Sequence, residues 1–436
     1  MKKSIITTTI FLALHASAHA ENLFEIYQTA LSKDPQYQAA IAQKNSAFEK
    51  ITEADAAKLP QINLTGGVGY LKSNRDDYYT SRTASSELAL TQALFRKSIW
   101  TNSDIVTKQA MATDVAMNLE KQNLMLRTVQ AYFSVLASQD ALSYAKANEQ
   151  ALLKQQDETK ERMSAGVSSI TDVQEAKAAH DMALADIITA ENNLANSFES
   201  LRQITGSEYQ LIDSLDTERF SPSELNLNAT GWLKNATDQS LALNQVRIEK
   251  DIAKQQIDLA KTGHLPTLDL KLGTTSNYTN YQENTASKED GAINEGTIGL
   301  QFSLPLYSGG ATESQVKQAQ YNYVAASEKL EKAYRDMQVD IYKNYNNVFA
   351  SIGMIKAYQQ SVLSAQSALE ATEAGYQAGT RTVVDVLGAT SKLYSAKQKL
   401  SEARFNYIIG MIQLKLTSGD LAESDLLAIN QGLKRN

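Results

Sequence analysis

The sequence predicts an α+β membrane protein in which two copies of one unit each supply a pair of barrel strands and two columns of coiled-coil helix. Three observations carry that reading. The chain repeats itself, its strand-like segments alternate apolar with polar or small residues, and two proline-free stretches hold heptads far longer than a globular helix needs.

Sliding the chain along itself brings Tyr132, Val135, Ala137 and Ser138 onto Tyr345, Val348, Ala350 and Ser351. The same offset carries Gly166 onto Gly379, Asp172-Val173 onto Asp385-Val386, and Gly206 onto Gly419. A slightly shorter offset pairs Leu59-Pro60 with Leu265-Pro266, and 88–95 with 300–307. The copies are read as 21–231 and 232–436. Each runs helix, Leu-Pro break, two strands, very long helix, glycine turn, shorter helix.

Strands are expected at about 60–72 and 84–96 in the first copy. There Ile62, Leu64, Val68 and Tyr70 alternate with Asn63, Thr65, Gly67 and Gly69, and Leu88, Leu90 and Leu94 with Ala89, Thr91 and Ala93. The second copy places them at about 266–279 and 296–307. Leu268, Leu270 and Leu272 alternate with Asp269, Lys271 and Gly273; Ile298, Leu300, Phe302, Leu304 and Leu306 alternate with Gly299, Gln301, Ser303 and Pro305. Period two suits a barrel wall with lipid outside and a wet bore. A half-buried soluble sheet is the lesser alternative, which periodicity alone does not exclude. Phe95, Trp100 and Tyr307 near the strand ends are candidates for an interfacial girdle, and the polar stretches 73–85 and 280–295 for outer loops.

The helices follow a stricter period. Ala319, Tyr323, Ala326, Leu330, Ala333 and Met337 occupy alternating heptad positions, and after a four-residue stutter Ile341, Val348, Ile355, Val362, Leu369 and Tyr376 recur every seventh residue. Leu126, Val129, Phe133 and Leu136 repeat the pattern in the first copy. No proline interrupts 98–164 or 312–377. Each can be one helix of about 66 residues, roughly 100 Å long. The shorter helices, 23–57 with 171–205 and 233–262 with 384–417, stack in pairs to match one long helix. Each chain thus offers four helical columns and four strands. Four strands cannot close a bilayer barrel, so several copies are required; two, three or four satisfy the arithmetic. The segments 206–231 and 419–436 are read either as an equatorial belt or as plain connections.

Composition narrows the function. Lys2 and Lys3, an apolar run from Ile5 to Leu14 and the Ala18-His19-Ala20 cleavage pattern make 1–20 a secretory signal peptide. Its removal takes two lysines and no carboxylate from a chain whose formal net charge is already −7, which argues against a nucleic-acid partner. With no cysteine there is no disulfide, thiol nucleophile or thiolate metal site. His180 and His264 are isolated in sequence, so no metal or cofactor is expected. No apolar run beyond the signal reaches the about 18 residues of a spanning helix, which leaves a barrel or a periplasmic protein.

The strings GHLPTLDL at 263–270, SQVKQAQYN at 314–322, GTRTVVDVL at 379–387, ITDVQ at 170–174 and LRQITG at 201–206 resemble the TolC family of outer-membrane channels, and the likeness covers essentially the whole mature chain. The resemblance implies a homotrimer: a 12-strand outer-membrane barrel continued by a 12-helix periplasmic barrel. It also implies an exit duct for multidrug efflux and type I protein secretion, without enzymatic activity or cofactor. A periplasmic adaptor (membrane fusion) protein and an inner-membrane RND, ABC or MFS transporter are the implied partners.

By the same resemblance the tip of the long helices is a gate. Tyr376 and Arg381 match the family's constraining residues, Thr171 and Asp172 their partners, and Gln155 with Glu373 a second link. Read from the residues alone, Thr171-Asp172 after a glycine turn is an ordinary helix cap and Arg381 a solvated charge. Asp385 matches an aspartate lining the closed mouth. Gly388 stands where the family pattern has another, so one acidic ring is expected to be missing. Two rival readings remain: a periplasmic coiled-coil structural or adaptor protein that never enters lipid, and a periplasmic hydrolase supported only by dispersed Ser, Asp and Glu.

Overall fold

A computed structural model describes residues 21–73, 79–282 and 290–434. The expected signal peptide and the middles of the expected outer loops, 74–78 and 283–289, lie outside the described residues.

In place of one helix over 23–57, the chain forms α1 (Leu23–Lys33) and α2 (Pro35–Ala56). Asp34 makes the break. Its extended backbone ends α1, and its carboxylate accepts the Tyr37 amide at 2.7 Å as the cap of α2. Pro35 follows at the first helical position, where a missing N–H costs nothing. The hairpin β1 (Gln61–Ser73) and β2 (Tyr79–Phe95) comes next. After it run α3 (Lys97–Ser164), unbroken for 68 residues, α4 (Ile170–Thr205) and the short β3 (Ser214–Leu215).

The second copy repeats the order. Its opening helix is also divided, into α5 (Ala229–Gln239) and α6 (Leu241–Lys261), with the Ser240 hydroxyl accepting the Leu243 amide at the division. Then come a 3-10 turn (Thr262–His264), β4 (Thr267–Gln282), β5 (Gly291–Ser303), α7 (Ala311–Gln377) and α8 (Val383–Ser418). The chain ends in α9 (Glu423–Gln431) and β6 (Leu433–Lys434). The strands reach further into the expected loops than alternation suggested, because Thr, Tyr and Arg pairs such as Tyr70 with Arg82 extend the ladder. β5 stops early: Pro305 has no amide to donate.

The described chain divides into two compact units. One holds Ala39–Glu120 and Ala236–Val339. Its centre is an antiparallel sheet in the order β1-β2-β4-β5. Register aligns Ile62, Leu90, Leu272 and Ile298 in one row, and Asn63, Ala89, Gly273 and Thr297 in the next. Rows therefore alternate between faces. On the apolar face Ile62, Val68 and Ile298 are 65%, 91% and 78% exposed, whereas a row of the other face reads Thr65, Glu87, Thr275, Glu295. A bulge between Ala93 and Phe95 shifts parity and aligns Phe95 with Leu268, and through it with Phe302. Alternation alone had assigned that face to Leu94. Among the described residues β1 and β5 each keep one edge without a strand partner.

The other unit gathers the chain up to Gln38, Lys121–Asn235 and the segment from Asp340. Leu23, Ile26 and Tyr27 of α1 are fully buried, as are Leu124, Tyr132 and Phe133 of α3. Phe133 meets Phe405 of α8 with ring centres 5.6 Å apart. Within α7 the buried positions Ile341, Val348, Ile355, Leu369 and Tyr376 are members of the seventh-residue series. The connection and the C-terminal segment join here: β3 pairs antiparallel with β6, and Lys121 of α3 reaches Glu423 of α9 at 2.8 Å.

Asp34 is 2% exposed and is gripped by both terminal nitrogens of Arg127 at 2.9 and 3.0 Å. Burial pushes its carboxyl up, but the Arg127 fork and the Tyr37 amide outweigh it and hold the group below its ordinary 3.8. A depressed carboxylate stabilises the fold fully above its ordinary value and loses that contribution as pH falls through the lowered one. Arg127→Ala strands a buried charge and should cost about 3 kcal/mol. Chemical denaturation at pH 7 checks the cost, and the deficit should shrink as the medium is acidified and the carboxyl takes up its proton.

Candidate functional site

The two long-helix turns are built alike. After α3 the Gly166 amide donates to the Met163 carbonyl at 2.9 Å and the Val167 amide to Arg162 at 2.9 Å. After α7 the Gly379 amide donates to Tyr376 at 3.1 Å and Thr380 to Gly375 at 2.9 Å. Both glycines take φ near +75°, at 75° and 76°, which closes the paired 6→1 and 5→2 bonds of a Schellman stop. Each following helix then opens with a capping box, Ser169 with Asp172 and Thr382 with Asp385. The repeat is thus conserved between copies down to the hydrogen bonds of the turn.

Beneath these turns lies a small apolar cluster. Leu152 of α3, Ala176 and Ala183 of α4, Leu369 and Tyr376 of α7, and Val383 of α8 are buried together. Alanine on α4 permits close helix approach. Tyr376, 9% exposed, is the polar member. Its hydroxyl stands 3.5 Å from the Thr159 hydroxyl, and the Arg162 guanidinium lies 4.6 Å from its ring centre.

The sequence-derived site residues fall on both sides of this cluster. Asp172 is engaged in its own turn: Oδ2 accepts from the Ser168 hydroxyl at 2.8 Å and the Ser169 amide at 2.9 Å. Those bonds, the Ser169 amide foremost, lower its carboxyl below the ordinary 3.8. Thr171 is exposed beside it. Arg381 is exposed too, with its stem against Gly375, where an added Cβ would stand 2.8 Å from Arg381 Cγ. Among the described residues no hydrogen bond joins Tyr376 or Arg381 to Thr171 or Asp172, nor Gln155 to Glu373. Gln155 is buried with its Nε2 unpartnered, and Glu373 is exposed.

Asp385 and Gly388 share the exposed face of the first turns of α8. Asp385 Oδ2 accepts from the Thr382 amide and hydroxyl, each at 2.9 Å; these bonds, with the Arg381 charge, lower its carboxyl below 3.8. Thr159, Arg162, Ser168 and Gly375 were not singled out in the sequence. Gln155, Thr159 and Arg162 do share one helix face by spacing, but nothing in the sequence says that Tyr376 is what they face. His180 bonds Glu149 at 2.8 Å, joining α4 to α3.

The sequence pattern of the family described as outer membrane efflux protein matches residues 26–207 and 232–420. The chain belongs to that family. The two matched segments follow the two copies. Among family relatives, outer membrane protein TolC of Vibrio cholerae serotype O1 is 44% identical over 422 residues, covering 97% of this chain and 96% of its own. TolC of Escherichia coli strain K12 is 44% identical over 428 residues, covering 96% and 86%. The solved structure of CusC agrees in fold, with a TM-score of 0.79 at 17% identity over 92% of this chain and 93% of its own.

Membership decides between the rival readings in favour of the channel. The chain is an outer-membrane protein with a periplasmic portion and not an enzyme. Its fold is the α+β protomer of a trimeric 12-strand barrel continued by a 12-helix barrel, and it serves as an exit duct for efflux and secretion in concert with adaptor and transporter proteins. For the turns themselves, Gly379→Ala forces a side chain into a left-handed backbone at about 1–2 kcal/mol. Amide exchange should quicken at 376–382 and stay unchanged in the β1–β2 hairpin, as mass spectrometry of exchanged peptides would report.

Proposed function

We propose that the duct is passive and held closed at its helix tips by a latch made of Tyr376, Arg381, Thr171, Asp172, Gln155 and Glu373. A periplasmic adaptor (membrane fusion) protein and an inner-membrane transporter of the RND, ABC or MFS class dock there and release it. One observation carries the reading: Arg381, exposed and without an ion pair among the described residues, stands where two copies of the same turn meet the apolar cluster. An arginine fork so placed can reach Thr171 and Asp172 of an adjoining subunit, and Gln155, buried with an idle amide, lacks only an acceptor such as Glu373. Opening then exchanges those bonds for bonds to the partners, and the helices swing outward as rigid rods. Tyr376→Phe combined with Arg381→Ser should raise single-channel conductance in planar bilayers several-fold, whereas unchanged current would reject the latch.

Three Asp385 carboxylates about a threefold axis would favour cations and bind multivalent ones at the closed mouth. With Gly388 one turn on, this chain carries a single such ring, so multivalent cations should block it more weakly than a two-ring channel. Gly388→Asp should restore tight block, since nothing lies within 4 Å of a Cβ added there. Asp385→Asn should abolish what remains. The Thr382 bonds lower the Asp385 carboxyl within each chain, and block should fade as acidification protonates it. Thr382→Ala should move that midpoint upward, as current titrations with a trivalent cation would record.

A further inference from the structure

The contact that ties α7 to α3 at the tip is not the one the residue types suggest. Thr159 has one hydroxyl proton, and it is donated to the Gln155 carbonyl at 2.7 Å. Tyr376 must therefore be the donor to Thr159, across 3.5 Å, the outer limit of a hydrogen bond. That bond is weak. The same ring meets the Arg162 guanidinium at 4.6 Å, well inside the about 6 Å over which a cation and an aromatic face attract.

Three further facts set Arg162 apart from a surface arginine lying on a neighbour by chance. Its Nε is buried without a hydrogen-bond partner. Among the described residues no carboxylate pairs with it. The ring it covers is almost completely buried, so the cation and the aromatic face meet where water screens them little. Gln155, Thr159 and Arg162, spaced four and three residues apart, form one polar stripe on α3, and two of its members, Thr159 and Arg162, meet Tyr376.

We propose that Arg162 is a positioning residue of the gate: its guanidinium clamps the face of the Tyr376 ring and tethers α7 to α3 within each subunit while the tip is closed. The inference rests on the latch reading above and adds to it a residue and a type of force. In this arrangement the ring of Tyr376 matters more than its hydroxyl. Tyr376→Phe keeps the clamp; Tyr376→Leu removes it. Opening must draw the ring from under the cation, a motion along α7 that a partner can drive only by moving the inner helix against α3.

The test uses full-length channel from outer membranes, with SDS-resistant trimer as the check of assembly and planar-bilayer current as readout. Arg162→Met, which keeps the stem and removes the charge, should shift the open-to-closed ratio about tenfold toward open, and Arg162→Lys should recover part of the loss. Added to Tyr376→Phe, Arg162→Met should have its full effect; added to Tyr376→Leu, almost none. Arg381→Ser serves as the reference for the latch. If Arg381→Ser raises the current and Arg162→Met does not, the clamp is wrong and the latch stands. If Arg162→Met acts undiminished on Tyr376→Leu, or Arg162→Lys matches Met in a normal trimer, the cation–ring contact is not the tether. Should Arg381→Ser leave the current unchanged as well, the latch falls and the clamp with it. Arg162→Lys carries the comparison if the methionine variant fails to assemble.

Discussion

A sheet edge in hydrocarbon has no water to receive its amide hydrogens, and that constraint governs this protein. β1 and β5 each present such an edge, and the apolar face between them is open to whatever surrounds a single chain. Each unpaired backbone group in lipid costs several kcal/mol, so a four-stranded sheet cannot enter the membrane alone. Pairing the edge of one copy with that of the next removes the cost, and three copies close twelve strands. The trimer is a condition of insertion rather than a later association of finished parts.

The helices inherit their arrangement from that closure. Each long helix leaves the sheet at the end of a strand and returns through a glycine turn, so the columns per subunit are as fixed as the strands. What varies is local. Alanine on α4 draws helices close at the turns, and Asp34 with Arg127 pins α2 to α3 where α1 ends. The tip, like several other places, holds buried polar atoms, Gln155 Nε2 and Arg162 Nε, with no partner among the described residues. A region meant to exchange one set of contacts for another is expected to be incompletely satisfied in either state.

Much of this was legible beforehand because it is periodic. The repeat, the alternating strands and the seventh-residue series of α7 are arithmetic properties, and Ile341, Val348, Ile355, Leu369 and Tyr376 are buried at the spacing that series sets. What escaped was set by single residues in three dimensions. Asp34 and Ser240 each divide a helix that periodicity alone would have continued. The bulge before Phe95 exchanges the faces of two adjacent apolar residues, a change alternation cannot register. Asp172 could be read as cap or latch; within one chain its bonds are those of a cap. Arg162 could not be read at all, since its meaning lies in facing Tyr376 from a helix more than two hundred residues away in sequence.

The duplication also bears on how the wall is assembled. The pairing of β2 with β4 joins the hairpin of one copy to that of the other inside a single chain, and closing the ring requires a counterpart between chains, β5 of one meeting β1 of the next. A half-length ancestor with one hairpin would have needed six molecules to make the same ring. Covalent linkage makes every second junction an encounter at fixed effective concentration. Ring formation then depends on a lower power of protein abundance, three encounters in place of six.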